Sequence, residues 1–208
     1  MGYPRIIKVG RASFYFDLGS PYAWLSAERI DRLFEESELE PPEWKPVLLG
    51  GLFREFGRGS WARTEAREEG IAEIERRAAE YGLPPVKWPE PWPDSYLYAM
   101  RAATWADQQG HGVTFAITAF RHAFVDGFDL SRPENVQAAA ALDGLDPEEL
   151  DRAVQDLPAK EGLKTVTAEA ASLGVSGVPS FVIDGGVFWG DDRLDEALVA
   201  AAGRDSSY

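Results

Sequence analysis

The sequence predicts an α/β fold in which a small sheet-forming unit is interrupted by a large all-helical insertion. Two observations carry this. Strand-like, aromatic and β-branched runs occur only near the two ends of the 208-residue chain, at 12–18, 43–49 and 181–189. Between them, residues 50–158 are dominated by Ala, Glu and Arg at helical spacing, broken by Gly- and Pro-rich punctuation.

Each element can be justified in order. Residues 12–18 (ASFYFDL) are apolar and aromatic, as in a buried strand. Ser20-Pro21 then reads as a helix cap followed by the first helical residue, because serine satisfies an open N–H and proline has none to lose. A helix through YAWLSAERIDRLFEE follows, with Trp24, Leu25, Ile30, Leu33 and Phe34 on its apolar stripe. Pro41-Pro42 leads to a second strand at 43–49. A β-α-β unit this short implies parallel strands with a right-handed crossover. Helices are expected over 63–81, 95–109, 113–126, 133–142 and 147–156, with a proline-tryptophan loop at 84–93 (PPVKWPEPWP). A further helix at 159–173 precedes a hairpin: Phe181–Ile183, the turn Asp184-Gly185-Gly186, and Val187–Trp189. Gly190-Asp191-Asp192 opens a terminal helix at 193–202, with acids at its electropositive end. The order β-α-β, helical insertion, α-β-β-α is that of a thioredoxin-like fold with a large all-helical insertion. The expected divisions are 1–49 and 159–208 for its two parts and 50–158 for the insertion.

Composition narrows the function. Hydrophobic residues at 45% supply a core despite a net charge of −14. That charge disfavours a general nucleic-acid or anionic-membrane surface. The chain has no cysteine, so it cannot cycle a disulfide or use a thiol of its own. Its two histidines exclude a histidine-rich metal site, and no metal is expected. No secretory leader pattern opens the sequence and no apolar run is long enough to span a bilayer, so a cytoplasmic protein is expected.

Three places carry possible chemistry. In this topology Ser20 and the loop at Val178-Pro179 converge, by analogy of fold. A hydroxyl at a helix N-terminus can hold an anion against unpaired N–H groups, or simply cap the helix. Val178-Pro179 is a candidate cis peptide with outward-facing backbone, able to pair with an extended peptide; a trans proline entering a strand is the plainer alternative. Asp191 and Asp192 can bind an ammonium group or cap the last helix.

The segments FYFDLGSPYAWL and GVSGVPSFVIDGGVFWGDDRLDEAL resemble the active-site serine and cis-proline–aspartate segments of 2-hydroxychromene-2-carboxylate isomerases and kappa-class glutathione transferases, which are DsbA-like members of the thioredoxin superfamily. KPVLLGGLF, SYLYAMRA and FRHAFVDGFDLS also resemble that family. The resemblance implies glutathione, or another low-molecular-weight thiol, as cofactor. Ser20 would hold its sulfur, Val178 and Pro179 its cysteinyl backbone, and Asp191 and Asp192 its glutamyl amino group, Asp192 being the nearer match. It implies a glutathione-dependent cis–trans isomerase acting on a small aromatic or unsaturated electrophile, and a homodimer. A kappa-like transferase and a binding protein without turnover are the alternatives. Trp88 and Trp92 would suit the wall of a substrate pocket, or packing of an irregular loop. The sequence departs from the family at Gly57-Arg58, where the isomerases carry Gly-Asn; Arg58 and Arg67 are candidates for an anionic substrate or the glycyl carboxylate.

Overall fold

The first strand ends where the next residue, Asp17, is turned inward. In the computed structural model, which describes residues 12–205, β1 covers Ser13–Phe16 and stops where the Asp17 carboxylate begins to accept backbone N–H groups. Phe14 and Phe16 face one side of the sheet and Tyr15 the other. Phe14 stacks on Phe16 and Phe181 and meets Trp44 edge-on, with ring centroids 4.8–5.8 Å apart.

The sheet has the order β2-β1-β3-β4. Strand β2 (Glu43–Pro46) lies parallel to β1, with Phe14 opposite Trp44. Strand β3 (Ser180–Ile183) runs antiparallel on the other side of β1, with Phe14 opposite Phe181. Strand β4 (Gly186–Trp189) returns from β3 through Asp184-Gly185, both at positive φ, as a two-residue hairpin of this kind requires.

Helices α1 (Pro21–Ala27) and α2 (Ile30–Glu36) follow β1, and α3 (Leu49–Glu55) follows β2. Then come α4 (Arg67–Glu80), α5 (Leu97–Gln108), α6 (Gly112–Phe124), α7 (Pro133–Leu142), α8 (Pro147–Ala153) and α9 (Leu157–Ser172). Helix α10 (Leu194–Asp205) closes the chain after a short 3-10 turn at Asp191–Arg193. The larger core lies on the Phe14/Phe16 face and takes in α1, α2, α10 and the helices between α4 and α9. A smaller one, with Tyr15, Leu52, Ala170, Val178 and Val182, lies beneath α3 and α9.

Two local expectations need correction. The helix expected to run through 22–36 breaks at Glu28–Arg29. Arg29 leaves helical geometry (φ −121°, ψ −28°), and its guanidinium donates to the carbonyls of Leu25 and Asp191. The second strand ends at Pro46, and residues 49–55 are helical despite Gly50-Gly51. A Cβ on Gly51 would lie 3.2 Å from Thr167 of α9, so a small residue there lets the two helices approach.

Candidate functional site

The turn from Asp17 to Ser20 is built so that almost every polar group has a set partner. Leu18 N–H points at the Met100 sulfur, Gly19 N–H donates to Asp17 Oδ1 at 2.8 Å, and Ser20 N–H donates to the Asp17 carbonyl at 2.9 Å. The Gly19 carbonyl accepts from the Trp92 indole at 3.1 Å. A side chain at Gly19 cannot be accommodated: its Cβ would stand 2.5 Å from the Tyr96 ring. The turn is therefore clamped between Trp92, Tyr96 and Met100 before any ligand arrives.

Ser20 caps α1. Its Oγ accepts from Ala23 N–H at 3.2 Å, and its hydroxyl points at the Val178 carbonyl, 3.5 Å away and at the long limit of a hydrogen bond. Val178 and Pro179 are joined by a cis peptide. Ser20 and this loop, 158 residues apart in sequence, thus meet directly. Pro21 has no N–H, and those of Ala23 and Trp24 go to Ser20, leaving the Tyr22 N–H as the first-turn donor without a partner among the described residues. Because α1 has only seven residues, the positive character here comes from these few N–H groups and not from a long helix dipole.

Behind Val178 the chain is tight. Trp189 packs its indole on Gly177, where a Cβ would come within 2.7 Å of its nitrogen, and Gly190 N–H donates to the Pro179 carbonyl at 3.0 Å. The Arg58 guanidinium lies 4.6 Å over the Trp189 ring. An exposed cation therefore stands one aromatic ring away from the Val178 loop.

The paired aspartates differ sharply. Asp191 is 2% exposed and enclosed. Its Oδ1 accepts from Arg77 at 2.6 Å, its Oδ2 from Tyr81 at 3.1 Å, and Arg29 stands 3.9 Å away. Burial pushes its carboxyl pKa up, against the pull of Arg77 and Tyr81. Arg77 also bonds Glu73, which accepts from the Tyr22 hydroxyl at 2.7 Å, so the network runs from the second residue of α1 to the 3-10 turn. Asp192 is open: its side chain is 60% exposed, with one oxygen 3.8 Å from Arg77. Of the two acids, Asp192 alone presents a carboxylate to solvent.

Trp88 and Trp92 pack together, centroids 4.7 Å apart, but their roles separate. Trp92 is buried and fastened to Gly19. Trp88 is half-buried and donates to Glu75 at 2.9 Å. With Arg67, Pro89, Glu90 and Pro91 they line an open groove of about 520 Å³. Arg67 donates to the Trp92 carbonyl at 3.1 Å, so it braces this loop as well as facing the groove.

Several residues of the site carry no isolated sequence signal. Trp61 bridges Tyr22 and Trp92, with centroids 5.9 and 5.6 Å away. The one hint is Gly70 inside α4, where a Cβ would collide with the Trp61 ring. Arg77 sits on α4 and Tyr81 caps its C-terminal end, in a stretch whose sequence looks like a solvated face. Asp17 lies one residue beyond its strand and looks like an ordinary strand end.

The comparisons with known proteins follow this geometry. Residues 12–200 match the model of the DsbA-like thioredoxin domain. The chain belongs to that family. A 2-hydroxychromene-2-carboxylate isomerase of Sphingobium xenophagum is 28% identical over 190 residues, covering 88% of this chain and 93% of the relative. Among solved structures, a 2-hydroxychromene-2-carboxylate isomerase superposes with a TM-score of 0.82 at 21% identity, over 94% of this chain and 95% of that one. A probable DsbA oxidoreductase from Streptomyces coelicolor gives 0.73 at 20% identity, over 95% and 91%. These two likenesses establish the DsbA-like fold, an α/β sheet carrying a helical insertion. This member of the family has no cysteine.

Proposed function

We propose that this protein is a glutathione-dependent isomerase of the 2-hydroxychromene-2-carboxylate isomerase type, in which Ser20 holds the cofactor thiolate. The observation that carries the reading is the meeting of the Ser20 hydroxyl with the Val178 carbonyl at 3.5 Å, in a chain without cysteine. The curated relative, similar along most of both chains, supports the reaction class.

The donor set fits a thiol tripeptide. The Ser20 hydroxyl and the Tyr22 N–H are hydrogen-bond donors suited to a sulfur anion. The Val178 backbone offers an edge to an extended peptide. Asp192 offers an open carboxylate to an ammonium group, and Arg58 an exposed guanidinium to a terminal carboxylate. Asp191, although buried, orients the turn that carries Asp192. When bound, glutathione supplies a nucleophilic sulfur that adds to and then leaves an unsaturated carbon, freeing rotation about the former double bond.

The protein's own part is to favour the thiolate and orient the electrophile. A free thiol titrates near ~8.5, and each unit of depression corresponds to about 1.4 kcal/mol. A hydroxyl and an amide donor supply roughly one to two units. Trp88 and Trp92 offer aromatic surface for an unsaturated substrate, and Arg67 a positive charge beside it.

Calorimetric titration with glutathione, beside other cellular thiols, tests the cofactor. Sub-millimolar binding that weakens in Ser20→Gly, with turnover of an aryl-substituted unsaturated carboxylate, is expected. Absence of binding below millimolar concentration overturns the reading. Binding without turnover, unchanged in Ser20→Gly, assigns the chain to the class of ligand-binding proteins instead.

A further inference from the structure

Asp17 is a buried acid that the reading above does not use. It is 4% exposed and three residues from Ser20. Its two oxygens accept from two different segments. Oδ1 takes the Gly19 N–H at 2.8 Å, inside the Ser20 turn. Oδ2 takes the Leu49 N–H at 2.8 Å, at the start of α3. The adjacent Leu48 N–H goes to the Thr167 hydroxyl of α9, so the far anchor is itself fixed. Each amide has a carboxylate oxygen of its own, an arrangement that an asparagine, with one oxygen and one NH2, does not reproduce.

We propose that Asp17 is the positioning residue of the site: its carboxylate ties the Ser20 turn to the start of α3, and its protonation loosens that tie and the placement of the Ser20 hydroxyl. The inference rests on the assignment of Ser20 as the thiolate-holding residue.

The chemistry follows from what surrounds the group. The titratable neighbour that senses Asp17 is the Tyr96 phenol, entering α5, which burial pushes up so that it stays neutral. On β2, Lys45 and Glu43 bond each other; on α9, Glu169 acts on Tyr15 of β1. The Asp17 balance is one of burial against two amide donors: burial raises its pKa to about 6, and the Leu49 and Gly19 N–H groups oppose the rise. A protonated carboxyl keeps one good acceptor oxygen and turns the other into a hydroxyl that must itself donate. Below that pH one of the two amides therefore loses its strong partner. Loss of one such hydrogen bond corresponds to a change of about 2- to 10-fold in an equilibrium or rate.

Two measurements test this, on the full-length protein. In the ligand-free state, the amide resonances of Gly19, Ser20 and Leu49 are followed against pH in the wild type and in Asp17→Asn. A shared inflection near pH 6, absent in the variant, is expected; independent or flat titrations in the wild type overturn the proposal. In turnover, the acid limb of kcat/KM steepens below about pH 6 in the wild type, because a second proton enters, and keeps a single-proton slope in Asp17→Asn. Equal slopes in the two proteins also overturn it. Should Asp17→Asn fail to fold, the wild-type carboxyl resonance of Asp17 decides: titration together with the Gly19 and Leu49 amides supports the proposal, and titration apart from them refutes it. Failure of glutathione to bind, with the shared inflection intact, refutes the thiol cofactor and leaves the tie between the two segments standing.

Discussion

Asp17 and Asp191 are both buried carboxylates flanking the same site, and they are held in opposite ways. Asp17 is met by two neutral amides. Asp191 is met by Arg77, by the Tyr81 hydroxyl and, at longer range, by Arg29. Burial raises both pKa values, but only Asp191 has cations beside it to hold the charge. The amide-held acid, pushed up to about 6 by burial, takes up a proton in the mildly acidic range. The arginine-held acid has counter-charges of its own, and taking them away is expensive. One suits positioning that responds to pH; the other suits a permanent fastening between α1, α4 and the 3-10 turn.

The comparison breaks most visibly at Arg77. Arg77→Met leaves Asp191 buried without its nearest cation, which in comparable pairs costs about 3–5 kcal/mol. For a chain of this size a loss of ~1 kcal/mol lowers Tm by about 2–4 °C, so a fall of roughly 6–20 °C is expected in a thermal melt. A Tm change within a degree would show that Arg77 does not fasten the turn.

The next largest effect separates the two acids by pH. An aspartate ordinarily titrates at 3.8, as it does in an unfolded chain, and burial raises Asp17 in the folded protein to about 6. Between them the folded protein keeps a proton that the unfolded chain has released. The Asp17 contribution to stability is therefore full below pH ~4 and is lost as pH rises to about 6. With ~1.4 kcal/mol per unit, the difference between wild type and Asp17→Asn changes by up to about 3 kcal/mol across that window. Urea unfolding at a series of pH values measures it. A difference that stays constant with pH would show that burial does not lift the Asp17 pKa above its ordinary value against the two amides.

Asp192 gives the smallest effect on the fold. Asp192→Asn removes an exposed carboxylate and should leave stability within about 0.5 kcal/mol. It should weaken glutathione binding several-fold by titration calorimetry. An unchanged Kd would remove Asp192 from the ligand site.

This contrast also explains what was legible in the sequence. Ser20-Pro21 announced its helix start, and Asp184-Gly185 its hairpin, because both signals are local chemistry within two or three residues. The β-α-β and α-β-β-α ends were readable from period and punctuation. The break at Glu28–Arg29 was not, because no glycine or proline marks it. It depends on Arg29 reaching Asp191, 162 residues away. The division of labour between Asp191 and Asp192 was illegible for the same reason: it is set by Arg77 on α4, not by the pair itself. The proline-tryptophan loop was visible as a feature, but that both tryptophans line the groove and that Trp92 is also fastened to Gly19 depends on tertiary contacts.

The most direct test concerns the sulfur that Ser20 is assigned to hold. Glutathione isotopically labelled at its cysteinyl Cβ reports the thiol titration by NMR in complex with the wild type and with Ser20→Gly, a substitution that costs the helix cap only a few tenths of a kcal/mol. The account predicts a bound-thiol pKa about one to two units below the free value of ~8.5 in the wild type, and most of that shift lost in the variant. A bound thiol that titrates like the free one, or equally in both proteins, would contradict it.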